Sequence, residues 1–283
     1  MLTTVTAGPY TIRGVSVGGV YTSLAVPELG LVLDAGVSPR SAAAIDTILL
    51  SHGHVDHIGA LPALLGIRAL HGKTSPPRIV MPAEIVDDLR GALDALSRMQ
   101  RWPLAIDAIG MRPGDDIALR GDLRVRAVRT FHPVPSLGYV VVRRVSKLRP
   151  EFQGLPGPEI AARRRAGEAR LVHEDRLELA YATDTLVTAL DHAPELRRAR
   201  VLIVECTFLD ERKSLDAARA GCHIHLDELI ERAAQFENEH VVVMHVSQLY
   251  RPDEVAGILD RRVPSELRRR MIPFVPNSAS WPG

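Results

Sequence analysis

The string Ser51-His52-Gly53-His54-Val55-Asp56-His57 constrains this chain more than any other, and it follows directly on the apolar run Ile45-Asp46-Thr47-Ile48-Leu49-Leu50. That run reads as a buried strand, and the helical spacing of apolar residues from Ile58 to Leu70 places a helix after the loop. Neutral imidazole and carboxylate are the nitrogen and oxygen donors that Zn²⁺ and related divalent ions take. In an extended or turning backbone His52 and His54 point the same way, while Asp56 and His57 follow round the bend. One loop could therefore serve two ions. The competing reading is a histidine-rich surface turn; with only 11 histidines in 283 residues, this local density argues against it.

The bulk properties narrow the class. At 283 residues with 46% hydrophobic side chains, the chain can bury a substantial core as a single domain. No apolar run approaches the roughly 20 residues that span a bilayer, and Met1-Leu2-Thr3-Thr4 lacks the basic start of a leader, so a soluble cytoplasmic protein without a membrane partner is expected. Cys206 and Cys222 have no CxxC spacing, which leaves packing as their role. A net charge of +1 excludes a general nucleic-acid coat, although local basic patches remain open. Glycine-rich phosphate loops and the GxSxG elbow are absent.

Along the chain, Tyr10 to Val26 reads as antiparallel strands, followed by Leu31-Val32-Leu33-Asp34-Ala35-Gly36, where Asp34 either caps a turn or supports the ligand loop. Strands are expected at Arg78–Met81 and through the alternation from Ile117 to Arg129, with a helix over Glu84–Gln100 between them. The second of these strands delivers His132 in Thr130-Phe131-His132-Pro133-Val134-Pro135-Ser136-Leu137-Gly138-Tyr139; a lone histidine there is more often a half-buried residue with its ring satisfied. Residues 145–174 break the pattern and read as an insertion or substrate-facing loop holding Arg163, Arg164 and Arg165, which either meet phosphates or form a solvated helix face. The strand Leu177–Ala182 then ends in Thr183-Asp184-Thr185. A helix over Asp191–Arg198 leads to the buried strand Val201–Val204, closing on Glu205-Cys206-Thr207-Phe208. His223 and His225 precede a helix running to about Glu237, and Val241–Met244, a final buried strand, delivers His245-Val246-Ser247-Gln248-Leu249-Tyr250.

His52 to His57 resembles the HxHxDH signature of the metallo-β-lactamase-fold hydrolases. His-x-x-x-Ser-x-Gly-Tyr from His132, Glu-Cys-Thr-Phe from Glu205 and His-x-Ser-x-x-Tyr from His245 are most similar to the ribonuclease Z (tRNase Z) branch of that family. Thr183 stands where the family has glycine before Asp184, and Leu249 where it has arginine. The resemblance implies an α/β fold, the αββα four-layer sandwich, as one domain over 1–283. It implies two Zn²⁺, with manganese or iron as alternatives: one on His52, His54 and His132, the second on Asp56, His57 and His245, with Asp184 between them. Asp34 would support the ligand loop; Ser136, Tyr139 and His225 would lie behind the ligands or toward substrate. The implied reaction is phosphodiester cleavage, with RNA as a substrate class, by a hydroxide bridging the ions. Asp56 would orient it and a His223–Glu205 pair would protonate the leaving group. Which of His223 and His225 faces the site stays open. The Gly/Pro-bearing segment 145–174, with its later Arg-x-Gly-Glu, echoes an arm that grips tRNA, and related hydrolases are often homodimers. Two other readings compete: a glyoxalase II-like thioesterase or small-ester hydrolase on the same centre, and a catalytically silent nucleic-acid-binding or scaffold protein.

Overall fold

A computed structural model describes residues 2–167 and 171–282; Glu168 of the Arg-x-Gly-Glu echo and the terminal Gly283 lie outside the described residues. Seven consecutive strands form the first sheet: β1 (Thr3–Ala7), β2 (Tyr10–Val17), β3 (Tyr21–Val26), β4 (Leu31–Leu33), β5 (Thr47–Leu49), β6 (Arg78–Pro82) and β7 (Asp107–Met111). The second sheet repeats the scheme with β8 (Asp116–Ala118), β9 (Leu123–Arg129), β10 (Leu137–Leu148), β11 (Leu171–Ala182), β12 (Val201–Glu205), β13 (His240–Met244) and β14 (Met271–Pro273). In each, the first four strands pair antiparallel and the rest parallel. The topology therefore repeats although the sequence shows no repeat.

The pairing patterns follow composition. The parallel strands β12 and β13, Val-Leu-Ile-Val-Glu and His-Val-Val-Val-Met, are apolar on both faces because helices cover one face and the other sheet covers the second. Between the sheets lie Leu24, Leu33, Leu49, Val125, Tyr139, Tyr181, Ile203 and Val242. Outside the first sheet, Val32, Ile48 and Ile79 pack with Leu64 of α2 and Leu93 of α3, where α1 is Val55–Ile58, α2 Leu61–Leu70 and α3 Val86–Gln100. The equivalent outer layer of the second sheet uses α5 (Thr188–His192), α6 (Pro194–Arg198), α8 (Leu226–Glu231) and α9 (Pro252–Arg262), with α4 (Gly157–Arg165), α7 (Leu215–Ala220) and α10 (Ser265–Arg268) completing the set. This is the αββα sandwich. Among the described residues no helix is long and apolar enough to cross a membrane.

Several elements differ from the sequence reading. The single helix expected over Ile58–Leu70 is two, because the Ala60 amide donates to Ala35 O (2.9 Å) and Ala35 N to His57 O (2.6 Å), which pins α1 to the end of β4. Gly36 makes that approach feasible: a Cβ there would stand 1.8 Å from Asp56 O. The Asp191–Arg198 helix breaks at Ala193 ahead of Pro194, which has no amide to donate. The helix expected to reach Glu237 stops at Glu231, followed by a single 3₁₀ turn. The Ile117–Arg129 alternation is a hairpin, β8 and β9, and β13 is followed by β14.

The largest correction concerns 145–174. Its flanks are not loop: β10 and β11 run past the sheet and pair with each other from Arg144↔Asp175 to Leu148↔Leu171. This two-stranded arm carries a 3₁₀ turn, with Phe152 buried, and then α4. Water on both faces of the ribbon removes the alternation that marks a half-buried strand.

Candidate metal centre

Both sheets send the carboxyl ends of their parallel strands to one edge of the sandwich. Leu33, Leu49 and Val80 are in register in one sheet, as are Ala182 and Val204 in the other. The residues just beyond these ends meet there, and three of them, Asp34, Asp184 and His245, hold left-handed backbone at φ of 57°, 45° and 59°. Backbone of that kind in residues other than glycine persists only where its surroundings over-determine it, and it clusters at functional sites.

Six imidazoles form a closed circle at this edge. Ring centroids step from His223 to His245 (5.4 Å), His57 (5.6 Å), His52 (4.3 Å), His54 (4.7 Å), His132 (4.9 Å) and back to His223 (6.3 Å). Asp184 reaches into the circle, its Oδ2 3.1 Å from His57 Nε2 and its Oδ1 3.4 Å from His245 Nε2. Asp56 Oδ2 stands 3.5 Å from His57 Nε2.

Hydrogen bonds behind the rings fix which nitrogen faces inward. His57 donates from Nδ1 to Asp34 Oδ2 (2.7 Å). Asp34 also accepts from Ser51 N (2.6 Å), Ser51 Oγ (2.8 Å) and Tyr181 OH (2.6 Å). With its proton committed to Asp34, Ser51 Oγ is left to accept from His52 Nδ1 at 2.9 Å. On the far side His245 Nδ1 donates to Thr207 Oγ1 (3.0 Å), which donates to Glu205 Oε2 (2.6 Å). Each relay ends on a buried carboxylate and turns an Nε2 lone pair into the circle. Asp34 thus anchors two rings, and Asp34→Asn should weaken zinc binding about 10–100-fold, asparagine being tolerated at positive φ. Chelator competition would measure it; unchanged affinity would contradict the relay.

The donor set fits divalent ions. His52, His57 and His245 each leave a buried Nε2 without a hydrogen-bond partner, which is costly unless something positive sits there. Two ligands on one tetrahedral ion with bonds of about 2.0–2.1 Å stand about 3.3 Å apart, and the 3.2 Å between His54 Nδ1 and His132 Nε2 matches, as do the Asp184 spacings above. His52–His54–His132 and Asp56–His57–His245 each converge within 4.8 Å, as do His52–His57–Asp184 and Asp184–His223–His245. Burial and the neighbouring His57 push His52 down to about 3, and burial also lowers His132 and His245, so these rings present free lone pairs. Burial opposes charge on His57 too, but the Asp34 and Asp184 carboxylates outweigh it and raise it well above the usual range. Burial would raise Asp184, yet His245 and His57 hold it well below the usual carboxylate range. The field inside the circle is one that holds a cation.

His223 and His225 separate clearly. His223 Nδ1 donates to Glu205 Oε2 at 3.1 Å, and its side chain is 20% exposed at the mouth of the circle. Burial opposes its charge, but Glu205 prevails and lifts it to about 9. Glu205 is wholly buried and also accepts from Thr185 N (2.5 Å) and Ile224 N (3.2 Å). His225 is turned away: it caps α8, accepting from Asp227 N, with Nε2 3.1 Å from Asp210 O. Tyr139 is fully buried and donates to Leu50 O (2.6 Å), so it holds the ligand strand from beneath and does not face substrate. Ser136 bridges to the backbone of His52 and bonds Thr130 Oγ1 at 2.7 Å. Arg163, Arg164 and Arg165 are not brought to the circle. They end α4 on the arm, where Arg163 pairs with Glu159 (3.2 Å) and Lys147 with Glu174. Ser51, Thr207 and Tyr181 were missed by the sequence reading, although Ser51 and Thr207 lie inside its motifs.

Comparison with known proteins agrees with this geometry. The beta-lactamase superfamily domain matches residues 25–149. The chain is 35% identical over 249 residues to tRNase Z TRZ1 of Arabidopsis thaliana, covering 87% of this chain and 88% of that one. It is 33% identical over 267 residues to the chloroplastic tRNase Z TRZ2 of the same plant, covering 94% and 75%. The crystal structure of human tRNase Z, short form (ELAC1), superposes with a TM-score of 0.59 at 18% identity over 83% of this chain and 92% of that one, a likeness of fold.

Proposed function

The chain belongs to the ribonuclease Z family of metallo-β-lactamase-fold hydrolases and is a metal-dependent, ribonuclease Z-like phosphodiesterase; on that premise we propose that it binds two divalent ions, zinc first, and cleaves a precursor RNA. What supports two ions is the pair of triads, His52–His54–His132 and Asp56–His57–His245, with Asp184 within 4.8 Å of ligand atoms of both, His52 of the first and His57 and His245 of the second. Bound there, the ions would supply Lewis acidity, an activated water at neutral pH and charge neutralisation for the phosphoryl oxygens. The residues do the rest. Asp56, half-buried beside His57, orients the attacking water and accepts its proton. His223, held by Glu205 in its protonated form, donates a proton to the leaving 3′ or 5′ oxygen. A thioester needs no such acid, since a thiolate leaves readily, and the pair favours a phosphodiester over the glyoxalase II-like alternative.

The arm leads away from this chemistry. From Leu137 beside the circle, β10 runs about 20 Å to Arg143 before the free ribbon begins at Arg144. RNA held on the arm would therefore present its scissile phosphate to the circle of a second copy, which accords with a homodimer. The test is precursor tRNA and bis-p-nitrophenyl phosphate turnover across a salt series, for the parent and for Arg163, Arg164 and Arg165 changed together to glutamine. The triple variant should raise KM for RNA only and make its binding less salt-dependent, the logarithmic slope falling by roughly one for each phosphate the arm no longer neutralises. Unaltered RNA processing would remove the arm from substrate binding. A parent that cleaves the diester and no RNA would remove RNA as the substrate.

A further inference from the structure

A groove of about 360 Å³ opens beside His54, and the function derived above makes no use of it. Its apolar lining is Ile58, Ile85, Leu89 and Ala92, with Val134 and Pro135 from the loop that carries His132. Gly53 and the metal-site residue His54 also line it. Two ligand-bearing loops thus contribute to the groove's lining, so its position relative to the reacting phosphate is tied to the backbone that fixes His54 and His132. The lining has no lysine or arginine and one charged group, Asp88. Among the described residues no hydrogen bond or ion pair engages the Asp88 carboxylate, and its side chain is exposed.

An apolar slot without a cation does not suit a phosphate. It suits a flat group with apolar faces and a polar edge, attached within one nucleotide of a phosphate held at the circle. We propose that this groove takes the nucleobase next to the scissile phosphate, unstacked from its neighbours, and that Asp88 accepts from an exocyclic amino group, so that adenine or cytosine is favoured over uracil. The proposal rests on the phosphodiesterase reading and adds a specificity-determining subsite to it. A bare carboxylate beside a polyanion is unfavourable unless a donor reaches it, and the amino edge is that donor. Asp88 also lies in the first turn of α3, where an acid favours the helix; that role would affect melting temperature and not base preference.

The test compares the zinc-loaded protein on methyl p-nitrophenyl phosphate and on p-nitrophenyl esters of adenosine and uridine monophosphates, linked through the 5′ or the 3′ oxygen. The parent should prefer one adenosine ester over the methyl diester. Ala92→Phe, a change at an exposed helix position, should lower kcat/KM on that ester about tenfold or more through KM and leave the methyl diester unchanged. Asp88→Ala, which leaves no acceptor for the amino group, should erase the adenosine preference over uridine without a comparable change in melting temperature. A parent that hydrolyses the methyl diester and gains nothing from a base, or an Ala92→Phe loss equal on all esters, would overturn the groove's assignment while the phosphodiesterase reading stands. Ala92→Phe that alters sedimentation and not base preference would assign the groove to a second copy. A parent inert on every diester would remove the phosphodiesterase reading and the groove's assignment with it.

Discussion

Asp184→Ala is expected to abolish turnover, by about 10³-fold or more, and to leave the chain holding at most one zinc. Among the described residues Asp184 is the carboxylate that converges on both triads, on His52 of the first and on His57 and His245 of the second, and Thr183 Oγ1 fixes it with a 2.8 Å hydrogen bond. Removing it takes away the negative charge that would hold two cations close together, a separation that costs heavily without a bridging anion. Asp184→Asn is the companion, since asparagine tolerates φ of 45° and preserves shape while losing charge. Both variants should be read by metal content and by diester kinetics. Two zinc ions with parent-like kcat in either would contradict the bridging role.

The second large effect is expected from His223→Ala: full metal content, with kcat lower by about 10²–10⁴ on diesters with poor leaving groups and a smaller loss on p-nitrophenyl esters, whose leaving group needs little protonation. The basis is the Glu205 contact at 3.1 Å, which holds the ring charged, together with the ring's partial exposure at the mouth of the circle. His225→Ala separates acid from scaffold. It removes the α8 cap, which should cost about 1 kcal/mol of stability with little change in kcat. Equal losses on good and poor leaving groups in His223→Ala would mean that His223 positions substrate and does not donate a proton.

What was legible in the sequence follows from how local each signal is. His52, His54, Asp56 and His57 are neighbours, so their chemistry shows before any fold does. His132, Asp184 and His245 are single residues at strand ends, and they stood out only through the short motifs around them. The supports were less visible. Tyr181 reaches Asp34 across the sheet interface, and Ser51 and Thr207 act as relays only because buried carboxylates lie beyond them. The choice between His223 and His225, two residues apart, depended on the turn at Cys222, whose φ of 58° directs the first inward while the second caps a helix. Tyr139 sat inside a motif expected near substrate, yet strand alternation puts its ring in the core between the sheets. The arm's ribbon was missed because neither of its faces is buried, and β14 because three residues are too few to carry a period.

The most direct measurement of the central claim is the zinc content of protein saturated with the metal and freed of excess, determined by elemental analysis alongside diester turnover. The result expected is two zinc ions per chain, with activity lost on chelation and restored as both return. Full turnover with one ion or none would contradict the dinuclear account.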